Sequence, residues 1–238
     1  ATLPRRCDAR CRVRALSQHM FHVWGFRAED DPNGLYNDPD RDLIDSVLTT
    51  RIGYCEGLTL VFLSLGRRLD IPLRAVLSRQ HIHVRYVGPG GPFDIDTTRD
   101  GAAPALDPSP PRCAEAPSLY GRPLDARELV GQIVSVVGIL DGLHNRRAWL
   151  DAAVRMAPDD PDLRNNRGVE RERWLDLDGA LDDYGAAVSL DPCVGFYRTN
   201  LASVLRRMGR LDEAQAALDA LDADVAAQRV DDDPLYPS

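Results

Sequence analysis

Between Arg51 and Thr98 the apolar positions change period twice. Leu58, Val61, Phe62, Leu65 and Leu69 are spaced 3, 1, 3 and 4 apart, the stripe of one buried helix face. This spacing predicts a helix that begins at about Cys55 and stops near Asp70, a residue tolerant of left-handed backbone just before Ile71-Pro72. After Pro72 the period falls to two, and His81, His83 and Arg85 alternate with Ile82, Val84 and Tyr86 as in a half-buried strand. Gly88-Pro89-Gly90-Gly91 then forms a turn. With those four residues as the loop, Val87 faces Pro92, paired numbers sum to 179, and Asp96 lies opposite His83 with His81 as its diagonal neighbour on the same face. Diagonal neighbours stand roughly 7–8 Å apart at the backbone, within reach of long side chains. A five-residue loop would turn Asp96 to the other face.

Outside this stretch the pattern is simpler. Residues 1–28 carry arginines at 5, 6, 10, 12 and 14, then Phe21, Trp24 and Phe26, and read as a helix laid on the following domain or as a basic arm. Asp30 to Asp42 reads as loop, and Leu43, Ile44, Val47 and Leu48 as a short helix. Arg99 to Pro123 contains six prolines and is a linker or a lid over a groove. The remainder is helical and repetitive. Ala180 and Ala214 are 34 apart, as are Pro158 and Pro192, and Gly168, Ala180, Tyr184, Ala187 and Pro192 occupy the small, small, aromatic, small and proline offsets of a tetratricopeptide repeat. The last unit keeps Leu201, Ala202, Gly209 and Ala214 but has Leu218 for the aromatic, and the first, around Arg127 to Pro158, is degenerate. Few repeats must bury their faces on something else, so they are expected to dock on the preceding domain. Their concave surface either holds an extended peptide, with Arg164, Asn165, Arg167, Arg198 and Asn200 as the polar candidates, or only braces the fold. The expected domains are 1–123 and 124–238.

Composition narrows the function. A net charge of -8 argues against nucleic acid as the main partner. No apolar run approaches the roughly 20 residues that span a bilayer, and the start lacks a signal pattern, so a cytoplasmic protein is expected. All 29 basic residues are arginine, so an enzyme joining glutamine to lysine could not cross-link this chain to itself. Cysteines at 7, 11, 55, 113 and 193 make an odd count, which predicts reduced thiols rather than a disulfide framework. Cys7, Cys11, His19 and His22 could ligate zinc, but the spacing fits no strong finger pattern, and neither metal nor cofactor is expected.

Cys55, a histidine from the first strand and Asp96 from the second supply a nucleophile, its base and the base's orienter. A helix N-terminus favours a thiolate, whereas the neighbouring Glu56 opposes one. The Cys55 backbone N–H would bind an oxyanion, with Gln80 or Tyr54 as extra donors. Spacing alone does not choose between His81 and His83. Taken singly, Cys55 is also what an inert buried hydrophobe looks like.

Four segments carry a resemblance: G-Y-C-E-G-L-T-L at 53–60, R-R-L-D-I-P-L at 67–73, H-I-H-V-R-Y at 81–86 and D-I-D-T-T at 94–98. Together they resemble the transglutaminase-like superfamily, most of all its bacterial subgroup with tetratricopeptide repeats after the catalytic domain. The resemblance implies an α+β papain-like cysteine fold followed by an all-α array, with Cys55 as nucleophile, His81 as general base and Asp96 as its partner. His81 is chosen because the family histidine sits four residues before the arginine of H-x-x-V-R. The implied chemistry is hydrolysis or acyl transfer at a peptide or protein amide through a thioester; the alternative is a non-catalytic scaffold that binds peptides or proteins through its repeats. The chain departs from the pattern at Asp70, usually glycine, and at His83, usually apolar or aromatic.

Overall fold

The structure is a computed structural model that describes residues 7–29, 38–78, 81–102, 119, 121–140, 145–192 and 194–231. They fall into two compact units, one built from Ala1–Leu106 and Leu119–Leu129, the other taking in Val130–Ser238. The first is α+β and the second is helical throughout.

Helix α1 (Ala9–Ser17) starts on Asp8, whose carboxylate accepts the Cys11 N–H at 2.8 Å, and runs on as a π-helical turn over Gln18–Val23. Contrary to the expectation of reduced thiols, Cys7 and Cys11 form a disulfide. One helical turn brings their Cα atoms to 5.3 Å, within bridging range, so local geometry overrides the argument from an odd count. Phe21 and Phe26 are buried and Phe21 stacks on Phe62, while Trp24 remains 39% exposed. Two of the clustered arginines have partners at the surface: Arg12 donates to the Leu69 carbonyl, and Arg10 lies 4.3 Å over the Phe93 ring.

Strand β1 (Arg27–Ala28) pairs in parallel with β2 (Ile52–Gly53), a contact too short to leave a period in the sequence. Between them a 3-10 turn, Pro39–Asp42, leads into the expected short helix α2 (Ile44–Thr50). Helix α3 (Cys55–Arg68) begins and ends where the stripe places it, and Asp70 takes φ +52° just beyond. Leu58, Val61 and Phe62 are buried, whereas Leu69 is 49% exposed and lies outside the stripe assigned to it. It occupies the C-cap, where the backbone leaves the helical path.

Strands β3 (Leu73–Ser78), β4 (His81–Tyr86) and β5 (Phe93–Ile95) form an antiparallel sheet in that order. Val84 faces Ile95, Arg85 faces Asp94 and Tyr86 faces Phe93, each pair summing to 179. The four-residue loop therefore sets the expected register, with Gly90 and Gly91 at φ +93° and +88°, where L side chains are strained. The open edge of β3 is covered by the returning chain: Leu77 accepts the Gly121 N–H, Ala75 accepts the Leu124 N–H, and Val76 bridges Pro123. Most of the proline-rich segment, with Cys113, lies outside the described residues, as does Cys193.

The remaining helices are α4 (Ala126–Leu140), α5 (Arg146–Met156), α6 (Pro161–Arg173), α7 (Leu177–Leu190), α8 (Gly195–Arg207) and α9 (Leu211–Asp231). From α6 to α8 the start advances by 195 − 161 = 34 residues, and from α7 to α9 by 211 − 177 = 34. Gly168 shows why the repeat needs small residues: a Cβ there would lie 2.7 Å from the ring of fully buried Tyr184. Side chains on α6 and α8 also meet, at a spacing of 35, one residue more than the repeat. Tyr197 donates to Asp162 at 2.6 Å, Asn200 to Asn165 at 2.8 Å and Arg207 to Glu172 at 2.8 Å.

Candidate active site

The first turn of α3 is set by what lies beneath it. The Arg41 carbonyl accepts the Tyr54 N–H at 3.0 Å. Glycine is required at 57 because a Cβ would lie 2.4 Å from the Arg41 oxygen. Cys55 opens the helix, half-buried, beside the apolar cluster of Ala75, Leu77, Ile82, Leu119 and Leu124. Among the described residues it is the free cysteine.

His81 enters from the first residue of β4. Its Nε2 stands 3.3 Å from Asp96 Oδ1, off the N–H axis, so the contact is ionic rather than a directed hydrogen bond. Asp96 and, after it, a hydrogen bond with Cys55 raise the imidazole pKa to about 10 against the opposing effect of burial. With Nε2 on the acid, Nδ1 is the nitrogen left for the thiol.

Asp96 is held in turn. It caps a 3-10 turn, Thr97–Arg99, and its Oδ1 accepts both the Thr98 N–H at 2.9 Å and the Thr98 hydroxyl at 2.7 Å. Burial alone would raise its pKa, but the His81 ion pair and the Thr98 bonds outweigh it and hold the carboxyl at about 2. Thr59 ties this corner to the helix: its hydroxyl bonds Thr97 Oγ1 at 3.1 Å and reaches the Ile82 carbonyl at 3.4 Å.

His83 differs from His81 in every respect that matters to a base. It is 1% exposed, its ring nitrogens make no hydrogen bond, and burial pushes its pKa down. The two rings stack with centroids 6.3 Å apart, and His83 Nε2 lies 3.7 Å from Asp94. Asp94 is already committed to Arg85 through two bonds of 2.5 and 2.8 Å, and Arg85 also donates to the Gly121 carbonyl. The expected half-buried strand is thus covered on both faces at His83.

Of the oxyanion candidates, Tyr54 has its backbone N–H spent on Arg41, and Gln80 lies outside the described residues. The peptide-binding candidates are engaged within the repeats. Asn165 and Asn200 bond each other, and Arg167 grips the buried Asp183 through two nitrogens at 2.8 and 2.6 Å. Arg164 donates to the Pro158 carbonyl and approaches Asp183 at 3.6 Å; Arg198 sits on α8. No group of three metal-binding side chains occurs among the described residues, where His19 Nδ1 lies on the Ala15 carbonyl. No described helix is long and apolar enough to cross a membrane. Sequence reasoning missed Thr98, whose N–H and hydroxyl hold Asp96.

Residues 1–106 match the transglutaminase-like superfamily. No curated protein matches the chain. Among solved structures, a MamA mutant shares 20% identity at a TM-score of 0.37 over 40% of this chain and 72% of its own. MamA AMB-1 shares 21% at 0.36, over 39% and 57%. MamA MSR-1 shares 17% at 0.38, over 43% and 59%. The chain therefore spans under three-fifths of the length of these last two.

Proposed function

We propose, from the premise of a transglutaminase-like N-terminal unit, that this protein is a cysteine-dependent enzyme acting on a peptide or protein amide. His81 takes the Cys55 proton, the thiolate attacks the carbonyl carbon, and the C–N bond breaks as His81 returns that proton to the departing amine; water or a second amine, deprotonated by His81, then displaces the thiolate from the thioester. Asp96 fixes the imidazole and stabilises its protonated form. The Cys55 N–H, which as the first helical residue has no acceptor within α3, is the oxyanion donor. Chemistry resides in 1–123 and the repeats in 124–238. Because Asn165, Asn200 and Arg167 are engaged with one another or with Asp183, the repeats hold their own helices together through these residues rather than offering them to a peptide.

The observation that carries this reading is His81 facing both Asp96 and Cys55, with His83 buried, neutral and paired to neither. Intact-mass spectrometry of the chain with a mixture of candidate peptides tests it directly. A thioester adduct on Cys55 that disappears in His81→Ala and survives in His83→Gln is the expected result. An adduct lost only in the His83 variant overturns the choice of base. Indifference of Cys55 to acyl donors and to thiol-reactive electrophiles alike returns the protein to the scaffold reading.

A further inference from the structure

The Cys7–Cys11 bridge plays no part in the Cys55 chemistry, and it borders a cavity of its own. An open cleft of about 870 Å³ has Cys7 in its wall and Arg67 on the side of α3. Arg67 lies 67 − 55 = 12 residues along that helix from Cys55, about 18 Å at 1.5 Å per residue, so the cleft is a second site at the opposite end. Cys7 lines the cleft and Cys11 does not, so a small reagent that enters meets Cys7. The two sulfurs differ in a second way. Cys7 precedes α1, whereas Cys11 is its third residue, where the opening N–H groups and the flanking Arg10 and Arg12 stabilise a departing thiolate. Asp8 opposes them, but its carboxylate already accepts the Cys11 N–H. The bridge spans four residues, and so short a ring takes little entropy from the unfolded chain, so opening it costs the fold little. Other anchors hold α1 in place: the Asp8 cap, the Arg12 bond to the Leu69 carbonyl, and buried Val13 and Leu16. Around the cleft stand charges of both signs, Arg12 and Arg67 with Asp8 and Asp70, over an apolar floor that includes buried Tyr86.

We propose that the Cys7–Cys11 pair is a thiol–disulfide exchange site for a small zwitterionic thiol, one that carries carboxylates and an ammonium group. Arg12 and Arg67 take its carboxylates, and Asp8 or Asp70 takes its ammonium. The ligand's thiolate attacks Cys7 Sγ, the bond to Cys11 breaks, and the electron pair leaves on Cys11 Sγ, which then takes a proton. The ligand is now joined to Cys7 as a mixed disulfide. A second ligand thiolate attacks the ligand sulfur of that adduct, the ligand's own disulfide departs, and Cys7 is released as a thiolate that is protonated in turn. Two ligand thiols lose two electrons and two protons, and the bridge gains both. The reverse sequence, with the ligand's disulfide as oxidant, restores the bridge.

The test uses the full-length chain with its free thiols first blocked by N-ethylmaleimide, so that Cys55 takes no part and the result does not depend on its proposed role. Glutathione is the probe, and glutathione diethyl ester, the same thiol with its carboxylates masked, is the comparison. Released thiols are trapped with iodoacetamide, and thiols and adducts are located by peptide mass spectrometry. Glutathione should open the bridge about five-fold faster than the ester, through an adduct on Cys7, and exposed Arg67→Ala should remove most of that preference. Equal rates with the two thiols, or a preference untouched by Arg67→Ala, overturn the cleft as the binding site. An adduct on Cys11 overturns Cys7 as the sulfur attacked, and a bridge that opens only when the chain is unfolded overturns the exchange altogether.

Discussion

The two units are specified by different kinds of information. In the repeats each helix packs on the next one along the chain, and contacts between the alternate helices α6 and α8 recur at 35 residues, as Asp162–Tyr197, Asn165–Asn200 and Glu172–Arg207 do. The N-terminal unit has no such redundancy. Cys55, His81 and Asp96 are 26 and 15 residues apart and meet through one hairpin register, one helix start and one buried threonine contact. A local code tolerates an isolated error, whereas a convergent site fails when any single element shifts.

The sharpest separation comes from Cys55→Ala, which should reduce acyl-adduct formation by about a thousand-fold or more while leaving the melting temperature of both units unchanged. Adduct formation at the wild-type rate would remove the nucleophile. Tyr184→Ala should do the reverse. It empties a fully buried ring site against Gly168 and should lower the stability of the repeats by about 3–5 kcal/mol in denaturant unfolding, with Cys55 alkylation unaffected. A change in alkylation would show that the loss is not confined to the repeats.

A single glycine inserted into the turn at 88–91 tests register itself. Turning Asp96 to the other face should cost about a hundred-fold in adduct formation with helical content preserved; unchanged activity would mean that the acid is not needed where β5 delivers it. Smaller still is the effect of pH on the ion pair. His81 has its folded pKa raised from 6.5 to about 10, so its stabilising contribution is whole below pH 6.5 and disappears as pH rises through 10. Asp96 has its value lowered from 3.8 to about 2, so its contribution is present above 3.8 and lost as pH falls through 2. The stability difference between wild type and His81→Gln should therefore peak between pH 3.8 and 6.5, at about 1–2 kcal/mol once solvent screening of the partly exposed ring is allowed for. A difference that is flat in pH would refute the pairing. Asn200→Ala, which leaves buried Asn165 without its donor, is expected to remove about 1 kcal/mol from the repeats alone.

Much of this was legible before any coordinate. Helix α3, the β4–β5 register and the 34-residue repeat all follow from spacing, because helix period, strand alternation and loop length are local rules. Leu69 marks where such a rule stops: the stripe continues into the C-cap, and the side chain there turns to solvent.

What periodicity left open was the choice of histidine, since His81 and His83 occupy equivalent positions on one strand. Tertiary structure separates them through two quantities that no spacing contains, the distance to a carboxylate and the depth of burial: one ring lies beside Asp96 and holds its proton, and the other is sealed and loses it. The same holds for Asn165 and Arg167, which look available until α8 and α7 supply their partners. Sequence determined which elements form and in what phase. Desolvation and pairing depend on what distant segments bring to the same place, and only the folded chain decided those.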